Sequence, residues 1–200
     1  MDLLSRRKLY FLLSGLTTLL LLSGCAGTGK SRVGAEALEA PFSNLPVDFS
    51  YQEIISGPGV TRSIRHVYRG LSNALHRWDL YLARGDGNTV WQTRWYNREG
   101  ALVQIDQNGN QESWSPHDCF LVEGECEFSY TDAYGFTNRY LRIGERKGNR
   151  YSYDLQRYEA NGLTEFSSGD AVLNADGIVI KHEFYTGSNG YQRSEVTGFY

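Results

Sequence analysis

The stretch of sequence that decides the fold is Trp91–Ser115, WQTRWYNREGALVQIDQNGNQESWS. Two turn signals, Glu99-Gly100 and Asn108-Gly109, divide it into three short segments. Within WQTRWYN and ALVQIDQ, side chains alternate with a period of two, which places one face of a strand toward a core and the other toward water. Asn-Gly pairs favour the positive φ angles that tight hairpin turns require. The stretch therefore predicts three antiparallel strands joined by tight turns.

Similar turn signals recur at regular intervals over the rest of the chain. They are Asp86-Gly87, Glu99-Gly100, Asn108-Gly109, Gly124, Tyr134-Gly135, Lys147-Gly148, Asn161-Gly162, Asp176-Gly177 and Asn189-Gly190. Successive glycines of this series lie 9 to 15 residues apart, which is the length of one strand and one turn. No segment shows a comparable 3.6-residue apolar period, and Leu71–Leu82 is the one place where the pattern does not exclude a helix.

The recurring strands predict an all-β domain from residue 46 to residue 200. With no helix to cover the apolar face of the sheet, the sheet must cover that face itself. We predict an antiparallel meander of about eight to ten strands that forms an up-and-down barrel or a strongly curved sheet. A sandwich of two packed sheets is the alternative.

The first 24 residues have the pattern of an export signal. Basic residues at positions 6 to 8 precede the apolar run Leu9–Leu22, which is shorter than the roughly 20 apolar residues of a membrane-spanning helix. The run ends in Leu22-Ser23-Gly24-Cys25, which resembles the lipobox of bacterial lipoproteins. The resemblance implies that residues 1–24 are removed and that Cys25, acylated, becomes the first residue of the mature chain.

The residue after the lipobox bears on the destination of the protein. Ala26 stands where the enterobacterial pattern has the aspartate that retains lipoproteins at the inner membrane. In a cell with two membranes the resemblance therefore implies an anchor in the outer membrane, and we expect the periplasmic leaflet rather than the cell surface. Residues 25–45 are then the lipidated cysteine and a flexible tether, with a root-mean-square reach of roughly 25 Å.

Charge and compartment limit the partners and the cysteine chemistry. Without residues 1–24 the chain has 17 basic and 22 acidic side chains, a net charge of −5, so nucleic acid is not an expected partner. Disulfides persist in exported domains. We therefore predict a disulfide between Cys119 and Cys126, the two cysteines that remain once Cys25 is assigned to lipid.

No motif points to a metal, a cofactor or a catalytic triad. The four histidines, at positions 66, 76, 117 and 182, show no metal-ligand spacing. Ser115, His117 and Asp118 lie so close along the chain, around a proline, that their pattern predicts a turn. We expect neither a metal site nor a cofactor.

Aromatic residues are the strongest candidates for contacts with a ligand or partner, although aromatic residues are also favoured in strands and cores. The candidates are Trp78, Trp91, Trp95, Trp114 and Tyr153. The leading hypothesis is a non-catalytic envelope lipoprotein whose β domain binds another envelope component. The alternative is a carrier of a lipid or other hydrophobic ligand in a barrel cavity, similar in outline to lipocalins. A third hypothesis is a polysaccharide-active enzyme that uses carboxylates such as Asp79 or Glu183.

Overall fold

The computed structural model describes residues 41–83, 87–120, 123–186 and 190–200. Within them the chain forms twelve strands and one short 3₁₀ helix, His117–Phe120. The strands are β1 (Ser50–Gly57), β2 (Val60–Ser72), β3 (Leu75–Leu82), β4 (Gln92–Tyr96), β5 (Leu102–Gln107), β6 (Asn110–Ser115), β7 (Gly124–Thr131), β8 (Thr137–Lys147), β9 (Arg150–Glu159), β10 (Gly162–Leu173), β11 (Val179–Thr186) and β12 (Gly190–Phe199). Nowhere in these residues does the chain form an apolar helix of membrane-spanning length. The predicted leader and the lipidation site Cys25 lie outside the described residues.

Each strand pairs antiparallel with the next, and β12 pairs with β1 to close the sheet. At the closure Tyr51 lies opposite Phe199, and Ile55 lies opposite Ser194. The prediction of an all-β, up-and-down barrel is confirmed, and the sandwich alternative is wrong because one continuous sheet closes on itself.

The barrel has more strands than predicted because the predicted series omits two turns, only one of which contains a glycine. All nine glycines of the predicted series have positive φ angles and lie at or beside a turn. The additional turns are Pro58-Gly59 and Asn73-Ala74. In the second, Asn73 and Ala74 have φ angles of 50° and 63° without any glycine. Leu75–Leu82, where a helix was not excluded, is a strand.

The buried apolar side chains form two clusters inside the barrel. The first contains Phe42, Ile64, Tyr68, Trp78, Leu80 and Ile178. The second contains Cys119, Cys126, Phe128 and Tyr140. Because Phe42 belongs to the first cluster, residues 41–45 pack with the barrel, and the packed chain begins before the predicted boundary at residue 46.

The N-terminal segment 41–49 marks one end of the barrel, which we call the N-terminal end. The backbone N–H of Phe42 donates to the carbonyl of Asp176, in the β10–β11 connection, at 3.1 Å. Pro41 lies beside Gly100, in the β4–β5 connection. Since the strands run alternately up and down, the β7–β8 turn lies at the opposite end, which we call the distal end.

Candidate functional site

A cavity of about 450 Å³ lies inside the barrel, toward its N-terminal end. Its wall includes Trp78 and Ile178 from the first apolar cluster and Trp114, which packs against the second. Side chains fill the interior of an eight-stranded barrel, whereas a wider barrel leaves internal space. The volume falls within the range of small-molecule pockets, about 300 to 1,000 Å³.

Three of the five predicted contact residues line this cavity. Trp78, Trp114 and Tyr153 face it. Trp91 packs against the first apolar cluster. Trp95 faces the outside of β4, where the guanidinium carbon of Arg77 lies 5.5 Å from the centre of its ring. The structure therefore brings together three of these aromatic residues and places the other two elsewhere.

The cavity wall also carries ionisable side chains that the sequence analysis did not identify. They are Glu53, His66, Arg94, Arg142, Arg146 and His182. These residues could have been predicted from their positions, because some of them lie two residues from a buried residue on the same strand and therefore on the same face. His66 lies between Ile64 and Tyr68 on β2, and Arg142 lies two residues after Tyr140 on β8.

Glu53, His66 and Arg94 form one polar group on the wall. The His66 Nε2 and a Glu53 carboxylate oxygen are 2.9 Å apart. Burial raises the pKa of Glu53, but the hydrogen bond from His66, the charge of His66 once it is protonated at low pH, the hydrogen bond from Ser194 and the charge of Arg94 outweigh it and bring the pKa to about 2. Burial lowers the pKa of His66 below 6.5. At neutral pH we therefore take His66 as a neutral imidazole that donates its Nε2–H to the Glu53 carboxylate.

Two aromatic rings pack against the histidines of the wall. Tyr51 stacks on His66 with ring centres 4.4 Å apart. The Tyr153 hydroxyl lies 3.1 Å from Nε2 of His182. Burial lowers the pKa of His182 as well. Both histidine rings are therefore held in place and uncharged at neutral pH.

Arg142 is buried, and the disulfide loop helps to position it. Its Nη1 donates to the backbone carbonyl of Cys119. Its guanidinium carbon lies 4.4 Å from the centre of the Tyr151 ring and 5.7 Å from that of Tyr153. Burial lowers the pKa of Arg142 to about 9, so the side chain stays protonated at neutral pH.

On the cavity wall, the Tyr151 hydroxyl and the Trp78 indole Nε1 are buried and have no hydrogen-bond partner among the described residues. The Tyr151 hydroxyl reaches its position because Gly144 has no side chain. A Cβ atom at position 144 would lie 2.2 Å from that hydroxyl oxygen. Buried polar groups nearly always have a partner, so these two atoms mark places where a ligand could bind.

The remaining predicted features do not line the cavity. The predicted disulfide is confirmed, with Cys119 in the 3₁₀ helix bonded to Cys126 in β7 at a Cα–Cα distance of 5.4 Å. Asp79 faces the outside of β3, where it accepts hydrogen bonds from Arg69 and Arg77 at 3.0 and 2.9 Å.

The carboxylates named in the enzyme hypothesis do not meet. Asp79 on β3 and Glu183 on β11 are separated in the barrel by β2, β1 and β12, and Glu183 pairs on the outer surface with Lys181 at 2.7 Å. No group of three histidine, cysteine or acidic side chains in the described parts of the chain is placed to hold a metal ion.

No protein-family model matches the chain, and no curated protein matches it. Among solved structures it is similar to a candidate exported protein with a YmcC-like fold from Bacteroides fragilis, with 7% identity and a TM-score of 0.45. The similarity covers 80% of this chain and 99% of the other. A candidate lipoprotein from Parabacteroides distasonis has 7% identity and a TM-score of 0.43, with coverage of 80% and 99%. MucB has 14% identity and a TM-score of 0.35, over 83% of this chain and 55% of MucB. Similarities at this level carry no inference about function.

Proposed function

We propose that this chain is an acylated lipoprotein of the cell envelope whose barrel binds a small, mainly apolar molecule and catalyses no reaction. The observation that carries the proposal is the cavity of about 450 Å³ with Trp78, Trp114 and Tyr153 in its wall. The same observation favours the carrier hypothesis over the docking hypothesis. The resemblance of Leu22–Cys25 to a lipobox and the following Ala26 support an anchor in the outer membrane.

The charges on the wall support binding rather than hydrolysis. Glycoside hydrolysis needs two carboxyl groups on either side of the bond that is cleaved. Among the described cavity-lining residues, Glu53 is the one carboxylate, and its low pKa keeps it ionised at neutral pH. An ionised carboxylate cannot act as the general acid of such a reaction.

Mass spectrometry of the protein isolated from its own membranes tests both halves of the proposal. Under denaturing conditions we expect a mass that corresponds to a chain beginning at an acylated Cys25. Under native conditions we expect an additional mass, that of a bound small molecule. A chain that still carries its leader contradicts the anchor. A protein that carries no small molecule and takes up none from a panel of apolar compounds contradicts the cavity function.

A matched pair of variants on β10 links uptake to the cavity. Ala171 lines the cavity and lies opposite the inward-facing His182, whereas the next residue, Val172, faces outward. Ala171→Phe places a ring in the cavity and is expected to abolish ligand uptake. Val172→Phe adds the same ring to the outer surface and should leave uptake unchanged.

A second function, docking on another protein of the envelope, is favoured by the β7–β8 turn at the distal end. Tyr134 is 86% exposed and Phe136 is 69% exposed. An Asp132 carboxylate oxygen accepts hydrogen bonds from the backbone N–H groups of both residues, at 2.9 Å each. Exposed aromatic residues on a preordered turn suit a protein interface. The turn points away from the end that carries the anchor, so the expected partner is a protein rather than the anchoring leaflet.

Photo-crosslinking in intact cells tests this second function. With a photoreactive phenylalanine analogue in place of Tyr134, we expect one discrete crosslinked product that contains a second envelope protein. The control carries the same analogue in place of Tyr200, which is 73% exposed and lies at the N-terminal end. Identical products at both positions, or none at position 134, would contradict the docking function.

A further inference from the structure

The wall of the cavity carries more positive than negative charge among the described residues. Its charged side chains are Arg94, Arg142, Arg146 and Glu53. The two histidines of the wall add no charge at neutral pH, because burial lowers the pKa of each. The excess is two positive charges inside a largely apolar space. Such an excess favours a ligand with a negatively charged group, since charge complementarity between a site and its ligand selects the sign of the ligand.

The position of Tyr151 indicates where that group binds. Arg94 and Glu53 interact with each other, and each charge stabilises the other. Arg142 lies beside Tyr151, and the Tyr151 hydroxyl has no hydrogen-bond partner among the described residues. A Cβ atom at Gly144 would lie 2.2 Å from that hydroxyl and 3.2 Å from Nη1 of Arg142, so both groups lie close together beside Gly144.

The chemistry of these two groups fits an oxygen anion. A guanidinium donates hydrogen bonds and accepts none, and it matches the geometry of a carboxylate or phosphate. A phenol can donate to the same anion. A hydrogen bond in which the donor or the acceptor is ionised is about twice as strong as one between two neutral groups.

The size of the cavity limits the apolar part of the ligand. At about 30 Å³ for each water-sized group, 450 Å³ holds roughly fifteen non-hydrogen atoms. A single medium-length chain with one head group has that size, whereas a lipid with two long acyl chains is larger. Trp114 and Leu102 of the wall offer the apolar surface for such a chain.

Building on the ligand-binding function proposed above, we infer that the cavity binds a single-chain amphiphile whose anionic head, a carboxylate or a phosphate, is held by the Arg142 guanidinium and the Tyr151 hydroxyl. The head group and the chain have separate roles. The apolar wall provides affinity for any chain of suitable length, and Arg142 with Tyr151 selects the charge of the head.

Calorimetric titration with four twelve-carbon probes tests the inference. The protein is the mature chain, residues 25–200, with Cys25→Ser, so that no acyl chains or detergent compete for the cavity. The probes are dodecanoate, dodecyl phosphate, dodecanol and dodecyltrimethylammonium, each below its micelle concentration. We expect at least one of the two anions to bind about tenfold more tightly than dodecanol, and the cation to bind more weakly than dodecanol. Dodecanoate and dodecyl phosphate distinguish a carboxylate head from a phosphate head.

Tyr151→Phe is the most informative variant because it removes the hydroxyl and keeps the ring beside Arg142. Since the hydroxyl has no hydrogen-bond partner among the described residues, the melting temperature should not fall. We expect about tenfold weaker binding of the preferred anion and unchanged binding of dodecanol. Tyr158→Phe is the control, because that hydroxyl bonds Glu127 at 2.6 Å on the outer surface.

Arg142→Gln removes the charge itself. We expect the preference for an anion over dodecanol to disappear, and continued binding of dodecanol shows that the variant is folded. If dodecanol and the anions bind equally well to the starting protein, the inference about the head group is overturned while the cavity function stands. If none of the four probes binds, both are overturned. If Tyr151→Phe leaves anion binding unchanged, the assignment of the hydroxyl is wrong.

Discussion

Replacement of Phe42 by alanine is expected to lower the free energy of unfolding by about 3 to 5 kcal/mol, the usual cost of removing a buried phenylalanine ring. The Phe42 side chain is 6% exposed although it lies before the first strand. Its ring makes edge contacts with Trp78 and Tyr96, at 5.6 and 5.3 Å between ring centres. Because Phe42 also lines the cavity, the variant should enlarge the cavity at the N-terminal end. Urea unfolding followed by tryptophan fluorescence measures the change.

Two controls separate the ring of Phe42 from the segment that carries it. Val47→Ala, in the same segment, removes a side chain that is 62% exposed and should change the free energy of unfolding by less than about 0.5 kcal/mol. A chain that begins at residue 46, the boundary predicted from sequence, should lose at least as much stability as Phe42→Ala. Equal stability of the chains that begin at residues 41 and 46 would show that the segment is only an appendage of the barrel.

The turns of the barrel could be predicted because their requirements are local. Asn108 and Gly109 have φ angles of 56° and 83°, and an Asn-Gly pair favours this conformation wherever it occurs. The Asn73-Ala74 turn adopts similar angles with an alanine, and alanine carries no turn signal. The strands around it hold it in place through the pairing of β2 with β3, which no short stretch of sequence records.

The closure of the barrel depends on contacts between the two ends of the domain. Tyr51 on β1 lies opposite Phe199 on β12, almost the whole length of the domain away along the chain. The alternation of apolar and polar side chains along a strand is the same in a barrel and in a two-sheet sandwich. The sequence therefore predicts antiparallel strands well, and it leaves the choice between the two architectures to long-range pairing.

The inward-facing side of a strand could be predicted only where one side is apolar and the other is polar. On β9, Tyr151, Tyr153 and Leu155 face inward as the alternation with polar neighbours indicates. On β4 the inward residues include Arg94, and Trp95 faces outward.

Distant partners explain the exception on β4. Inside the barrel, Tyr96 of the same strand and Glu53 of β1 support the charge of Arg94. Outside, Arg77 of β3 covers the ring of Trp95. Glu53 and Arg77 come from other strands, so their contribution could not be predicted from β4 itself. The same holds for Arg142, whose hydrogen-bond acceptor is the carbonyl of Cys119, 23 positions away along the chain.

The stability of the barrel is expected to fall steeply as the pH is lowered from 7 to 3. Burial lowers the pKa values of His66, His76 and His182 in the folded state. Below pH 6.5 the unfolded chain therefore binds protons at these positions before the folded chain does, and folding loses up to about 1.4 kcal/mol per pH unit for each histidine. Above pH 6.5 these histidines are largely unprotonated in both the folded and the unfolded chain, so they do not make stability depend on pH.

Glu53 adds a second step at lower pH. Its pKa falls from 4.5 to about 2 on folding, so it stabilises the folded state above pH 4.5 and loses this effect as the pH falls toward 2. The full effect is about 3 kcal/mol. Urea unfolding at half-unit intervals of pH should show a decline that begins near pH 6.5 and continues below pH 4.5.

Substitution of His66 identifies the origin of the first step. His66→Gln keeps a side chain that can donate a hydrogen bond to Glu53 but binds no proton between pH 6.5 and 5. The decline in stability over this range should therefore lose the contribution of one histidine, up to about 1.4 kcal/mol per pH unit. Glu53→Gln should lower stability at pH 7 and flatten the curve below pH 4.5. If folding instead raised the pKa of these histidines, the free energy of unfolding would increase as the pH falls through 6.5. That result would show that His66 is an imidazolium paired with Glu53, and the charge balance of the cavity wall would have to include it.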